Sequence, residues 1–284
     1  MATSVQEAVA TGIIMLAAIL FIVTGFIRIC GINKIWTSLV VPSAFLGSYY
    51  IVYNKVPSLP PVGAVNKVFY VIAAGAVVGF FYDLVCKARY PWLLPATQPI
   101  ASALYIGWPR LHDGFPELAI AAALGSIAQL VLICRATDAA TERDVNSAIL
   151  LSIACVGFAP IALLGASSSS FQLCLTAAAA IIASLVWHLT DPRFSFGSAS
   201  RLAGTGGLLA VAYPVILITG KADLRAVAVL GLIVFAPRAS DALNDYFELS
   251  SAPARRSIFV LCCLAPAVAA VLLALSLYPS PFPL

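Results

Sequence analysis

Residues 257–278 read Ser-Ile-Phe-Val-Leu-Cys-Cys-Leu-Ala-Pro-Ala-Val-Ala-Ala-Val-Leu-Leu-Ala-Leu-Ser-Leu-Tyr, without one charged side chain. At 1.5 Å of rise per residue, about 20 apolar residues carry a helix across the roughly 30 Å hydrocarbon core of a bilayer. Pro266, inside the run, is tolerated in such a helix because its neighbours re-satisfy the freed backbone. Comparable runs lie at 8–28, 35–53, 64–86, 92–108, 116–134, 147–165, 171–190, 203–220 and 224–240. The pattern predicts about ten transmembrane helices. Two spans are irregular: 92–108 is short and holds Pro95 and Pro99, and 224–240 opens with Arg225.

Composition agrees with the runs. Of 284 residues, 62% are hydrophobic and 10% charged, with a mean hydropathy of +1.01. Soluble domains carry about 25% charged residues, so a water-soluble globular fold is excluded, together with disordered, collagen-like and disulfide-scaffold classes. The expectation is an all-α polytopic integral membrane protein, one transmembrane domain over 1–284 with no soluble domain. The longest polar stretches, about 54–63, 135–146 and 241–256, are loop-sized. Pro57-Ser58-Leu59-Pro60-Pro61 reads as a stiff connector. No basic residue precedes the first apolar run, while Arg28 and Lys34 follow it. That order is opposite to a cleaved signal peptide, so the segment is expected to stay as a spanning helix.

Basic residues orient the spans. The odd loops hold eleven (Arg28, Lys34, Lys87, Arg89, Arg135, Arg143, Arg193, Arg201, Arg238, Arg255, Arg256) and the even loops five (Lys55, Lys67, Arg110, Lys221, Arg225). Positive residues accumulate on the cytoplasmic side, which places the odd loops in the cytoplasm and both termini outside, in a cell (inner) membrane. Trp36, Trp92, Trp108 and Trp187 fall at or near span ends, as interfacial anchors do. The net charge of +4 reflects this anchoring and implies no nucleic-acid partner. The partners expected are the lipid bilayer, copies of the chain, or subunits of a membrane complex.

Small residues recur at helical spacing in Gly75-x-x-x-Gly79, Ala121-x-x-x-Gly125 and the stretch from Ser167 to Ser184. They let helix backbones approach closely, which in lipid replaces the hydrophobic drive. The seven cysteines show no Cys-x-x-Cys and most lie inside apolar runs, as packing residues do.

A five-plus-five division, halves 1–140 and 145–284, matches Pro109-Arg110-Leu111-His112-Asp113 with Pro237-Arg238-Ala239-Ser240-Asp241. Each is Pro-Arg-x-x-Asp at the exit of an irregular span. Odd-numbered halves would place the two copies on opposite membrane faces, the arrangement of inverted-repeat transporters. Arg110 with Asp113, and Arg238 with Asp241, are therefore candidate local pairs for substrate binding or gating. Gln98, Gln129 and Gln172 are the polar groups inside spans, suited either to a substrate or to interhelical hydrogen bonds. Asp83 and His188 come closest among ionisable groups to the bilayer interior, about a turn inside their spans, where capping also accounts for them.

Asp138 and Glu142 form one acidic pair on the odd-loop side, Asp241 and Asp245 a second. Such pairs near arginines suit Mg²⁺ and a diphosphate, the logic of an intramembrane prenyl-type transferase, although the Asn-containing first motif of those enzymes is missing. Gly-x-Ser-x-Gly, His-Glu-x-x-His and P-loop patterns are absent, and His112 and His188 are the only histidines, so no cofactor is expected. Three functions stay open: a small-molecule or ion permease or channel-like transporter, a non-catalytic subunit or assembly factor, and the Mg-dependent lipid-phosphate enzyme. The orientation is checked with reporter fusions at Thr3 and Pro283. Both read outside if the basic bias sets the topology, and a cytoplasmic signal from either refutes it.

Overall fold

The computed structural model describes residues 2–61, 63–85, 93–112, 114–133, 140–189, 194–248 and 251–278, and among these every regular element is helical. In chain order the segments are α1 (Ala2–Ile29), α2 (Ile35–Tyr53), α3 (Ala64–Val85), α4 (Leu93–Gly107) and α5 (Phe115–Ile133). They continue with α6 (Ala140–Leu164), α7 (Ser168–Leu185), α8 (Ser198–Thr219), α9 (Leu224–Tyr246) and α10 (Ala252–Leu277). Among the described residues eight helices are long and apolar enough to cross a membrane. The chain is an all-α, multi-pass membrane protein.

Over the described residues α4 falls short of that length: its 15 residues rise only about 22 Å, less than the hydrocarbon thickness. Helix α5 has 19 residues. By contrast α9, irregular in sequence, runs continuously for 23 residues. Its helix passes through a tighter 3-10 turn at Leu232–Phe235 and resumes at Ala236–Tyr246, with Pro237 in the first turn, where its missing N–H removes no hydrogen bond.

Helix ends follow local chemistry. Asp223 accepts the N–H groups of Arg225 (2.7 Å) and Ala226 (3.2 Å) at the start of α9, satisfying donors that have no partner inside the helix. Gly220, with φ of +61°, turns the chain out of α8 in a conformation that only glycine adopts without strain. Buried hydroxyls bond back to their own helices: Thr24 to Leu20 O (2.7 Å), Ser48 to Ala44 O (2.6 Å), Ser152 to Ala148 O (2.8 Å). They cost little in an apolar interior because the donor is satisfied locally.

Helices α6, α7 and α8 form the interior. Between 56% and 61% of their spanning windows is buried, against 28% for α1, α3 and α10, which present apolar faces outward. Helix α7 packs along α6, α1 and α2; α10 covers α6 and α9; α4 and α5 pair with each other. Phe45, Tyr49, Ile72, Leu151, Phe158 and Leu173 fill the shared core. At the end of α7 the Trp187 ring, expected at an interface, leans over Gly25 of α1, and Arg28 donates to Trp187 O. A five-plus-five repeat would map the α1–α7 contact onto α6–α2 and the α6–α10 contact onto α1–α5. Among the described residues neither mapped pair is a packing partner, so the packing does not follow that two-fold scheme.

The closest approach is between α3 and α8. A Cβ at Gly75 would lie 2.9 Å from the Leu202 backbone, and one at Gly79 would lie 2.5 Å from Ala199 N and Cα. Backbone cannot yield as a flexible side chain does. Gly79→Leu should therefore cost at least about 1–3 kcal/mol, seen as a lowered Tm or loss of monodisperse protein in detergent. Gly231→Ala, where a Cβ meets nothing within 4 Å, should be neutral or stabilising. Equal tolerance at both positions would refute this packing.

Candidate functional site

The site begins with a change of helical register in α8. Across Arg201–Thr205 the turn widens to the π form, and the Gly206 N–H bonds to Arg201 O, five residues back. In an α-helix that N–H would serve Leu202 O, so the widened turn releases a carbonyl. Thr205 Oγ1 also donates to Arg201 O (2.6 Å). The released Leu202 O accepts instead from Gln98 Nε2 of α4, at 3.2 Å.

Helix α4 has the matching defect. Pro99 has no N–H, so Pro95 O, four residues earlier, loses its helical donor. Gln129 of α5, 2% exposed, reaches that carbonyl. In the amide orientation that suits its surroundings, Gln129 Nε2 donates to Pro95 O and its Oε1 accepts the Gly206 N–H at 3.1 Å. With the Gln98 nitrogen on Leu202 O, the two amides meet at 2.9 Å with Gln129 Nε2 donating to Gln98 Oε1, so the Leu202 and Pro95 contacts belong to alternative turns of the amides. Gly206 permits the meeting, because a Cβ there would overlap the Gln98 amide. One turn on, the Tyr213 hydroxyl donates to Pro99 O (3.3 Å), and Gly125 of α5 leaves the room for that ring.

Beside this junction lies a small cavity of about 20 Å³, room for about one water-sized group, partly open to the outside. It is lined by Pro95 of α4, Gln129 of α5, Ser147 and Leu150 of α6, Phe196 ahead of α8, and Arg201 and Thr205 of α8. Arg201 is the single charged residue of that lining among the described residues. Two carboxylates act on it through space, Asp144 first and then Asp83. Asp83, at the end of α3, accepts the Ser198 N–H at both oxygens (2.8 and 3.1 Å) and so caps α8. An anion at a helix N-terminus is stabilised by the helix dipole. A Cβ at Gly197 would collide with this carboxylate.

Of the site residues that the sequence singles out, the structure brings Gln98 and Gln129 together and leaves Arg110, Gln172, His188, Arg238, Asp241 and Asp245 off the cavity lining. Arg110 stands in the 3-10 turn Trp108–Arg110 after α4, and its Nη2 donates to Ile218 O near the end of α8 (3.4 Å). Its expected partner Asp113 lies outside the described residues, as does Asp138. Arg238, Asp241 and Asp245 stand exposed on α9. Pro237-Arg238 thus sits within a continuous helix, not at a helix exit, so the two Pro-Arg-x-x-Asp copies occupy unlike local structures. Glu142 falls in the first turn of α6, and Gln172 is half-buried in α7. His188 is buried just after α7, its ring 5.3 Å from that of Phe194. Arg201, Asp83, Asp144, Ser147 and Thr205 were missed as a group. Only the Gly204-Thr205-Gly206-Gly207 run hinted at a close approach there.

The amide bridge makes a testable coupling. Gln129→Leu strands Pro95 O in an apolar interior, at about 1–3 kcal/mol for an unsatisfied buried acceptor. Pro99→Ala restores the N–H at position 99 and with it the helical bond to Pro95 O. Unfolding measured in detergent should show the double variant losing about 1 kcal/mol less than the two single losses combined. Strict additivity would mean that Gln129 does not serve that carbonyl. Compared with known proteins, the chain matches no protein-family model, no curated protein and no solved structure.

Proposed function

We propose that this chain is a small-molecule or ion permease whose path runs through the cavity at Arg201. The observation that carries the reading is the convergence of two hydrogen-bond-broken helices, α4 and α8, on a largely apolar cavity with one lining cation among the described residues. Irregular backbone at membrane depth is stable only where protein or a water-filled cavity satisfies it. Transporters build their sites from such discontinuous helices. Ionisable groups inside a helical bundle mark substrate or ion routes, because an idle charge there is costly. With the odd loops in the cytoplasm, the cavity lies toward the cytoplasmic end of the bundle, since α3 and α5 finish there and α4, α6 and α8 start there.

The test is an unbiased flux screen. Purified protein in liposomes is mixed with impermeant or candidate solutes, and volume change is followed by light scattering. Protein-dependent, saturable flux of a subset of solutes is expected. Ser147→Cys, placed in the cavity wall, should make that flux sensitive to a methanethiosulfonate reagent that leaves the native chain active. Absence of flux for every solute, with the fold intact, sinks the permease reading. A stoichiometric partner set in mild detergent would then favour the complex-subunit alternative.

A further inference from the structure

We propose that the cavity binds a compact free anion on the Arg201 guanidinium; the inference names the substrate class of the site above and rests on the permease reading. The cavity's polar lining is asymmetric. Among the described residues Arg201 is its one charged member, and no carboxylate is part of the wall. The Thr205 hydroxyl proton is committed to Arg201 O, and Gln129 spends its amide on Pro95 O and the Gly206 N–H. The chief donor left facing the space is the guanidinium, a planar fork of five N–H groups that matches oxyanions and other compact anions.

Asp83 and Asp144 oppose a simple positive site, and their placement decides between ligands. Asp83 turns both oxygens to the Ser198 N–H, away from the role of ligand. Both carboxylates act on Arg201 through space, and neither belongs to the lining among the described residues. In that position they offset the cost of keeping an arginine charged in an apolar bundle without filling its fork. An anion at contact distance feels the guanidinium more strongly than the more distant carboxylates, since the energy falls with separation. Pro95, Leu150 and Phe196 keep the space narrow and apolar on the other sides, and its volume of about 20 Å³ favours a monatomic halide over bulkier anions.

Full-length protein in a neutral detergent, in gluconate buffer, is titrated with chloride, nitrate, bicarbonate, acetate and phosphate while its Tm is followed. The same anions are offered in flux assays with phosphatidylcholine liposomes, with or without phosphatidylglycerol. At least one soluble anion should raise Tm saturably and be transported. Arg201→Gln should weaken the apparent affinity tenfold or more, Arg201→Lys less, and Lys221→Gln, exposed between α8 and α9, not at all. Should Arg201→Gln fail to fold, Ser147→Trp fills the cavity without altering charge and should abolish the same anion response.

The outcomes separate. Flux of neutral or cationic solutes that is unmoved by Arg201→Gln overturns the anion inference and leaves a permease. An anion response that Arg201→Gln removes, without any flux, overturns the permease reading and leaves the anion site. Stabilisation by phosphatidylglycerol alone, with soluble anions inert, assigns the cavity to a lipid headgroup and overturns a free anion.

Discussion

In a bilayer interior an unpaired backbone carbonyl has no water to turn to, and that single requirement organises the centre of this protein. Pro99 takes a donor away from Pro95 O, and the π turn at Arg201–Thr205 takes one away from Leu202 O. Neither defect can exist alone in lipid, because each unsatisfied group costs several kcal/mol there. They are brought side by side, where the amides of Gln98 and Gln129 serve one carbonyl or the other according to how they are turned. The helix pairing, the glycine at 206 and the position of the cavity all follow from this repair.

Much of the scaffold was legible because membrane spans announce themselves by length and hydropathy. The run at 257–278, the short proline-bearing α4 and the small-residue face Gly75-x-x-x-Gly79 could each be read from local composition. Gln98 and Gln129 were legible too, as amides inside apolar spans that must find partners on other helices. What could not be read is register. A π turn inserts one residue's worth of offset without any residue type that demands it, and this offset aims Arg201 inward where counting from the loop made it a topology anchor. Asp83 shows the same limit from another side. Its position near a span end suggested capping, but the helix it caps begins 115 residues later. The Pro-Arg-x-x-Asp match misled for a related reason: proline in the first turn of a helical segment breaks nothing, so α9 runs on where α4 stops.

Charge is handled by distance. Arg201 keeps two carboxylates near enough to hold its charge in the bundle, while neither is part of the cavity wall. A direct buried ion pair would gain Coulomb energy but consume the guanidinium's donors. Asp83 is instead secured on the α8 N-terminus, with both oxygens on the Ser198 N–H. Precision comes from glycine: Gly197, just ahead of α8, makes room for the Asp83 carboxylate, and Gly206 for the Gln98 amide.

The Asp83–Ser198 contact also sets an order of assembly. Translation proceeds at about 5–20 residues per second, so the 115 residues between these partners take roughly 6 to 23 s to make. Through that interval α3 is already synthesised, while the helix that receives its carboxylate does not yet exist. The end of α3 must wait at the lipid–water boundary, hydrated, with its glycine face open. Arrival of α8 then fills the groove and neutralises the boundary charge together, so the centre of the bundle closes late in biogenesis.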